Sequence, residues 1–474
     1  MSQDHKNSEL ENKLLLMLLC VAQFMLILDV AVVAVAVPSI QSNLSVPAAE
    51  IQWVSTAYSL TFGGFMVAFG RAADLFGPKK TLLLGVVVFI VASALCGFAS
   101  SGELLFVSRA LQGLGAALVS PAALALVTIN FGEGGQRNKA LGLWGAVSSG
   151  GAVVGQLLGG VLVDVAGWRS IFWINVPFGA AVVIGVTRLV RRDSQHAIDR
   201  VDIFGSILLT SGVVCFVAGV SQAAEHGFSS AVAFFGILGI VLLSFLIIHE
   251  SRVPNPVLRL SMFKNPHVLY GNIICMLTAG GATVSVFLGT LYMQQVLELS
   301  PLMAGIGFVP ITLVILVTSA RMGALTARFG VRLLLLWSAI CFAVGALLMS
   351  FVPTHGSYWL NVFPGLMVGG VGAALSFAPS MIVSTTGVSD DEQGFASGLI
   401  GTSQQVGGAL FLAFLTGVTA AVTGDRGTAA AMTDGFRAGF LWSLIIPALM
   451  LICLLILPAS AIVSDFRDAD GSQR

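Results

Sequence analysis

Leu26-Ile-Leu-Asp29-Val-Ala-Val-Val-Ala-Val-Ala-Val-Pro38 places one carboxylate in a run that is otherwise aliphatic and ends in proline. An ionised side chain in hydrocarbon costs roughly 2.5–3.5 kcal/mol on insertion scales, so an acid kept there marks a candidate functional site with a partner elsewhere. The composition of the whole chain fixes the solvent around that acid. Hydrophobic residues make up 56% and charged residues 10% of 474 residues, and the mean hydropathy is +0.94. A water-facing surface needs far more charge, so the chain reads as a membrane protein. Its formal net charge is zero, which points to neither nucleic acid nor a polyacidic partner.

Cys20, Cys96, Cys215, Cys275, Cys341 and Cys453 lie singly inside apolar runs, without a CxxC or a Cys/His cluster. They read as small buried hydrophobes, and no disulfide framework or metal site is implied. The polar amino terminus leads into an apolar run too long for a signal-peptide core and without a small-residue cleavage site, so this run is taken as the first span.

At about 20 apolar residues per crossing, fourteen spans are predicted: 13–39, 50–70, 80–99, 103–128, 139–164, 170–190, 201–222, 228–249, 267–293, 302–319, 332–352, 358–383, 393–423 and 437–463. With both termini cytoplasmic, nineteen Lys and Arg fall inside and only Arg169, Arg426 and Arg437 outside. That segregation follows the positive-inside rule, and an odd number of spans would scramble it. Arg109 is left within a helix.

Two cytoplasmic loops echo one another. Gly70-Arg71-Ala-Ala-Asp74-Leu-Phe-Gly77-Pro-Lys79-Lys80 follows the second span, and Gly323-Ala-Leu-Thr-Ala327-Arg-Phe-Gly330-Val-Arg332 follows the tenth. The echo predicts two related bundles, at 1–192 and 265–474, joined by a linker at 193–264 that carries two extra helices.

The Gly70 loop resembles the GxxxD(R/K)xG(R/K)(R/K) signature of the major facilitator superfamily. Four further stretches are similar to its fourteen-span drug:proton antiporter branch: Leu28-Asp29 to Pro38, Trp53-Val-Ser-Thr-Ala-Tyr58, Arg109-Ala-Leu-Gln112-Gly113-Leu-Gly115-Ala-Ala, and Gly151-Ala-Val-Val-Gly155-Gln156-Leu-Leu-Gly159-Gly160 followed by Gly167-Trp-Arg-Ser-Ile-Phe-Trp-Ile-Asn175-Val-Pro177. The resemblance covers nearly the whole chain. It implies an all-α polytopic membrane protein of the major facilitator fold, with two six-helix bundles and two linker helices, acting as a multidrug or antibiotic exporter. Five positions depart from these patterns, two of them in the Gly70 loop, where Leu75 and Pro78 replace residues that are often basic. Ala31 and Ala34 stand where Thr and Asn are usual, leaving Asp29 few partners on its own helix, so that desolvation would favour its neutral form. Gln156 stands where Pro is usual, so a proline kink is not assumed there.

Counting along the helices puts Asp29 about ten residues, roughly 15 Å, below the outer end of the first span, and Arg109 about seven residues, roughly 10 Å, below that of the fourth. Similar depth allows a partnership between them, either as a proton-coupling pair or as a structural salt bridge. Gly70, Arg71, Asp74, Gly77, Lys79 and Lys80 read as a cytoplasmic gate latch, with Lys79 and Lys80 as plain topology determinants the alternative. Gly151, Gly155 and Gly159 recur every four residues, a stripe against which another helix packs closely; together with Gln156 and Gly160 they form the antiporter-signature helix. Met25, Tyr58, Gln112, Gln404 and Gln405 are candidate lining residues of a substrate cavity, with packing or interhelical hydrogen bonding the competing use.

The function expected is a proton-coupled exporter of lipophilic or cationic drugs, not an enzyme, working in the cell (inner) membrane and as a monomer. No cofactor beyond the proton gradient and no metal are expected, since the sequence holds no GxxxxGK(S/T) nucleotide loop. An uptake permease for a metabolite, or an exporter of an endogenous metabolite or lipid, is the alternative.

Overall fold

The structure is a computed structural model that describes residues 3–47, 50–131, 140, 147, 151, 154–155, 157–190, 202–226, 230–254, 256, 260–388, 393–424 and 428–457. Over these residues the regular elements are all helical. In order they are α1 (Gln3–Leu44), α2 (Trp53–Phe76), α3 (Pro78–Gly97), α4 (Gly102–Asn130), α5 (Leu157–Ala166), α6 (Ser170–Trp173), α7 (Asn175–Leu189), α8 (Ile203–His226), α9 (Ser230–Glu250), α10 (Pro266–Gln295), α11 (Pro301–Ala320), α12 (Met322–Phe329), α13 (Val331–Ser350), α14 (Phe363–Thr385), α15 (Gln393–Thr423), α16 (Ala429–Trp442) and α17 (Ile445–Ile456). Hydrocarbon offers the backbone no hydrogen-bond partner, so an apolar chain of this kind satisfies its N–H and C=O groups within helices.

Helix starts follow the sequence chemistry. Ser101 caps α4 by accepting from Leu104 N, with Glu103 in the first turn, and Asn265 caps α10 by accepting from His267 N, with Pro266 opening the helix. Such side chains occupy orphan amides and complement the positive helix end. The sixth span is broken between Trp173 and Asn175. Pro177 has no N–H to return to the Trp173 carbonyl, which favours a break one turn upstream.

Among the described residues, eleven helices are long and apolar enough to cross a membrane, and they correspond to eleven of the fourteen predicted spans. The span predicted at 50–70 falls on α2, whose 24 residues are diluted by Ser, Thr and Gly. The one at 139–164 lies mostly outside the described residues, with α5 at its end, and the one at 201–222 falls on α8, of which the stretch Ile207–Val220 has described side chains throughout.

By backbone proximity the chain forms two compact units, one of Met1–Thr210 with Ser300–Ile306, the other of Ser211–Leu299 with Gly307–Arg474. The core of the first is built from Leu19, Met25 and Leu26 of α1, Tyr58 of α2, Phe89 of α3 and Val119 of α4, with Val182 and Val186 of α7. The two loops echoed in sequence also match in structure. Gly77 (φ 92°) separates α2 from α3, and Gly330 (φ 75°) separates α12 from α13. That left-handed region carries a steric penalty for residues with a Cβ. Two residues on, Lys79 donates from Nζ to the Val190 and Thr187 carbonyls at the end of α7, and Arg332 donates from Nη2 to the Leu454 carbonyl of α17 at 3.0 Å. A cation therefore closes the carbonyl end of α7 in one unit and of α17 in the other.

Candidate functional site

Glycines decide which helices approach the Asp29 side chain. In the stretch Arg109-Ala-Leu-Gln112-Gly113-Leu-Gly115, a Cβ at Gly113 would strike the Tyr58 backbone carbonyl and Thr61 of α2, and one at Gly115 would stand 2.6 Å from the Phe89 amide of α3. Thr61 Oγ1 completes the α2 seam by donating to the Ala110 carbonyl at 2.8 Å. With α2 and α3 held this close, Arg109 and Gln112, three residues apart on one face of α4, are both fully buried beside α1. On α7, Gly179 lies against Ile90 of α3 and Gly185 against Leu18 of α1, which brings the start of α7 to the same place.

The side chains of Asp29 and Arg109 are each 1% exposed and form an ion pair of 2.5 Å between Oδ2 and Nη1. Arg109 also donates from Nη1 to Gln112 Oε1 (2.6 Å) and from Nε to the Val54 carbonyl (2.8 Å). Its guanidinium carbon lies 4.4 Å from the Tyr58 ring centroid and 5.8 Å from that of Phe172, a cation–π enclosure. Asp29 Oδ1 accepts from Gln112 Nε2 (2.8 Å) and from Asn175 Nδ2 (2.9 Å). Ser93 Oγ of α3 donates to the Phe172 carbonyl at 2.8 Å, accepts from Asn175 Nδ2 at 3.1 Å and lies 3.2 Å from Gln112 Nε2. Taking both charges out of water costs several kcal/mol per ion, offset only when good ion-pair geometry is joined by further hydrogen bonds. This cluster supplies both.

The pairing predicted from depth along the helices is therefore present, but the expected shortage of partners is corrected. Ala31 and Ala34 contribute no hydrogen bond on α1, and α4 and α7 supply the donors instead. Ala31 has a different use. A Cβ at Gly155 would stand 2.6 Å from the Ala31 Cβ, one at Gly159 would stand 3.0 Å from the Val32 Cα, and one at Gly151 would meet Ile27 and Phe24. The glycine stripe thus packs on α1, one face round from Asp29, and a small residue at 31 is what lets it close. Gly160 faces elsewhere, against Leu302. Gln156 lies outside the described residues.

Of the predicted cavity residues, Gln112 belongs to the cluster and Tyr58 is buried with its ring over Arg109. Met25 sits in the packed core of its unit rather than on a cavity wall, because an apolar side chain in a sequence does not distinguish the two uses. Gln404 and Gln405 are half-buried on α15. In the Gly70 loop, Gly70 lies within α2, Gly77 and Lys79 act as described above, and Lys80 is exposed. The side chains of Arg71 and Asp74 lie outside what the structure describes. Asn175 and Ser93 were not singled out as site residues. A neutral amide in an apolar run beside Pro177 was the available signal for the first, and a lone serine gave none for the second. Among the described residues no group of three or more His, Cys, Asp or Glu gathers into a metal-binding cluster.

This geometry is a buried ion pair carried by the first and fourth helices of an α-helical unit in a chain with many membrane-length apolar helices, the arrangement of a multi-span membrane protein. The chain belongs to the Major Facilitator Superfamily, whose family model matches residues 19–412 and 273–469. It is 34% identical over 452 residues to the cephamycin export protein CmcT of Amycolatopsis lactamdurans, covering 94% of this chain and 92% of that one. It is 36% identical over 436 residues to the puromycin resistance protein pur8 of Streptomyces alboniger, covering 90% and 86%. The fold is also that of a peptide transporter POT solved with sulfate, at a TM-score of 0.67 and 14% identity over 92% of this chain and 94% of that one. A bacterial homolog of the human lysosomal transporter Spinster covers 94% of this chain and 96% of its own.

Proposed function

We propose that the protein is a proton-coupled exporter of lipophilic, antibiotic-like molecules in the cell membrane, working as a monomer with both termini cytoplasmic. The observation that carries this reading is the Asp29–Arg109 pair. It buries two charges side by side, and it occurs in a chain related along most of its length to a cephamycin exporter and a puromycin resistance protein. Protonation of Asp29 cancels one charge of the pair. The contact to Arg109 then loses its ionic character, and the packing of α1 against α4 and α7 is free to change.

In this account the cargo enters from the cytoplasm or inner leaflet. It leaves outward as a proton binds at Asp29, and the proton then returns inward. Alternating access comes from movement of one bundle relative to the other, with the Gly70 loop as the cytoplasmic latch and the Gly151–Gly155–Gly159 stripe as a close seam on α1 inside the amino-terminal bundle. Buried polar side chains in the carboxyl-terminal half are mostly Ser and Thr, with few charged or amide groups, which favours a lipophilic cargo over a polar nutrient. The test is transport in proteoliposomes under an imposed proton gradient, across a panel of lipophilic antibiotics. Gradient-dependent movement of the antibiotic against the proton flow is expected. Co-directional accumulation of a polar metabolite, with no antibiotic moved, would replace this reading with an uptake permease.

A further inference from the structure

Two buried polar atoms around Asp29 have no hydrogen-bond partner among the described residues, the Tyr58 hydroxyl and the Asn175 amide oxygen, and of the two only Asn175 is hydrogen-bonded to the carboxylate. Arg109 Nη1 spends its hydrogens on Asp29 Oδ2 and Gln112 Oε1, and Gln112 Nε2 spends its own on Asp29 Oδ1 and Ser93 Oγ. Asn175 Nδ2 spends both of its hydrogens on Asp29 Oδ1 and Ser93 Oγ. Because the Ser93 hydroxyl is itself directed at the Phe172 carbonyl, both neighbours of the Asn175 amide are acceptors, and the nitrogen must face them. The amide oxygen of Asn175 is then left buried with no hydrogen-bond partner among the described residues, in a side chain with 0% exposure. A native protein seldom leaves such an acceptor empty without a use for it.

The neutral form of Asp29 has the complementary need. A proton arriving from water forms an O–H bond on the carboxyl, the cluster gains one positive charge, and the new hydroxyl requires an acceptor that the present arrangement does not offer. Gln112 Oε1 is already taken by Arg109. Turning the Asn175 amide over exchanges its oxygen for its nitrogen at the same two neighbours. The oxygen then accepts from the Asp29 hydroxyl, and Ser93 can rotate its own hydrogen towards it.

We infer that Asn175 is a positioning residue that reads the protonation state of Asp29, its amide nitrogen holding the carboxylate and its amide oxygen holding the protonated acid. The inference rests on Asp29 being the coupling acid. The titratable or charged groups facing Asp29 are Arg109 from α4, Tyr58 from α2 and Cys96 from α3, whose sulfur lies 3.8 Å from Gln112 Oε1. From α6 and α7 the described groups of the cluster are the Phe172 carbonyl, which accepts from Ser93, and the Asn175 amide, neither of them titratable.

The experiment is an infrared pH titration of the lipid-reconstituted protein. It follows the carbonyl stretch of the protonated acid, assigned to Asp29 by its loss in Asn175-intact Asp29→Asn. In Asn175→Leu the hydroxyl loses its acceptor, and the band is expected to move to higher wavenumber. In Asn175→Asp, which keeps the shape but replaces a permanent donor with a second acid, the titration midpoint is expected to rise by about one pH unit or more. The Asp variant decides the matter if the Leu variant does not insert. A Leu-variant band at the wild-type position, or an Asp-variant midpoint that does not move, overturns the role of Asn175 and leaves the coupling role of Asp29 standing. A wild-type protein that transports but shows no Asp29-dependent band overturns both.

Discussion

Replacing Arg109 with Met removes the cation from a site where the Asp29 side chain is 1% exposed. The carboxylate keeps only the Gln112 and Asn175 amides as donors. Removing one member of a buried pair costs roughly 3–5 kcal/mol, because the other is left as an uncompensated buried charge. Loss of the guanidinium from the Tyr58 face, 4.4 Å away, adds about 0.5–2 kcal/mol. Asp29→Asn alone strands the arginine in the same way. The double variant strands neither, so it should cost clearly less than the sum of the singles, with a coupling energy of about 2–3 kcal/mol. The assay is reversible unfolding of the four proteins in mixed micelles, read as a double-mutant cycle. Costs that add to within about 0.5 kcal/mol would show that the contact carries little energy, and the reasoning from burial would fail.

Three further outcomes follow from the packing. Gly155→Val should destabilise the protein by about 1–3 kcal/mol through overpacking against Ala31 and Leu28, and Ala31→Gly should recover part of that in the same unfolding assay. Lys79→Met and Arg332→Met should each cost about 0.3–1 kcal/mol by uncovering helix carbonyls, with Lys79→Arg restoring most of the loss; equal stability of all three would remove the capping role. In a cysteine-free background, a cysteine at Lys80 should react with an impermeant reagent only from the cytoplasmic face and one at Gly424 only from the opposite face. Labelling of both from one side would overturn the topology drawn from the basic residues.

The Asp29–Arg109 pair was legible because each is a costly charge in an apolar run, and helical rise converts sequence position into depth. The neutral members of the cluster were less so. Gln112 stands one turn from Arg109, yet an amide there reads equally as a cavity donor or as packing. Asn175 is brought to Asp29 by the packing of α7 on α3 and α1 through Gly179 and Gly185, and no periodicity in the sequence reports that. The glycines of 151–160 announced a close approach without naming the neighbour; the structure assigns it to α1 and so explains Ala31, which from sequence looked only like a lost partner. Met25 shows the opposite limit, since a methionine suits a cavity wall and a core equally well. The fourteen spans were read from apolar length, and α2 shows where Ser, Thr and Gly dilute that signal.

The most direct test of the central claim is proton movement itself. A lumenal pH indicator in sealed proteoliposomes, with a transported antibiotic added to one side, should report proton flux opposite to the antibiotic in the wild type. In Asp29→Asn that flux should be lost, with antibiotic binding retained. Undiminished antibiotic-driven proton flux in Asp29→Asn would contradict the account.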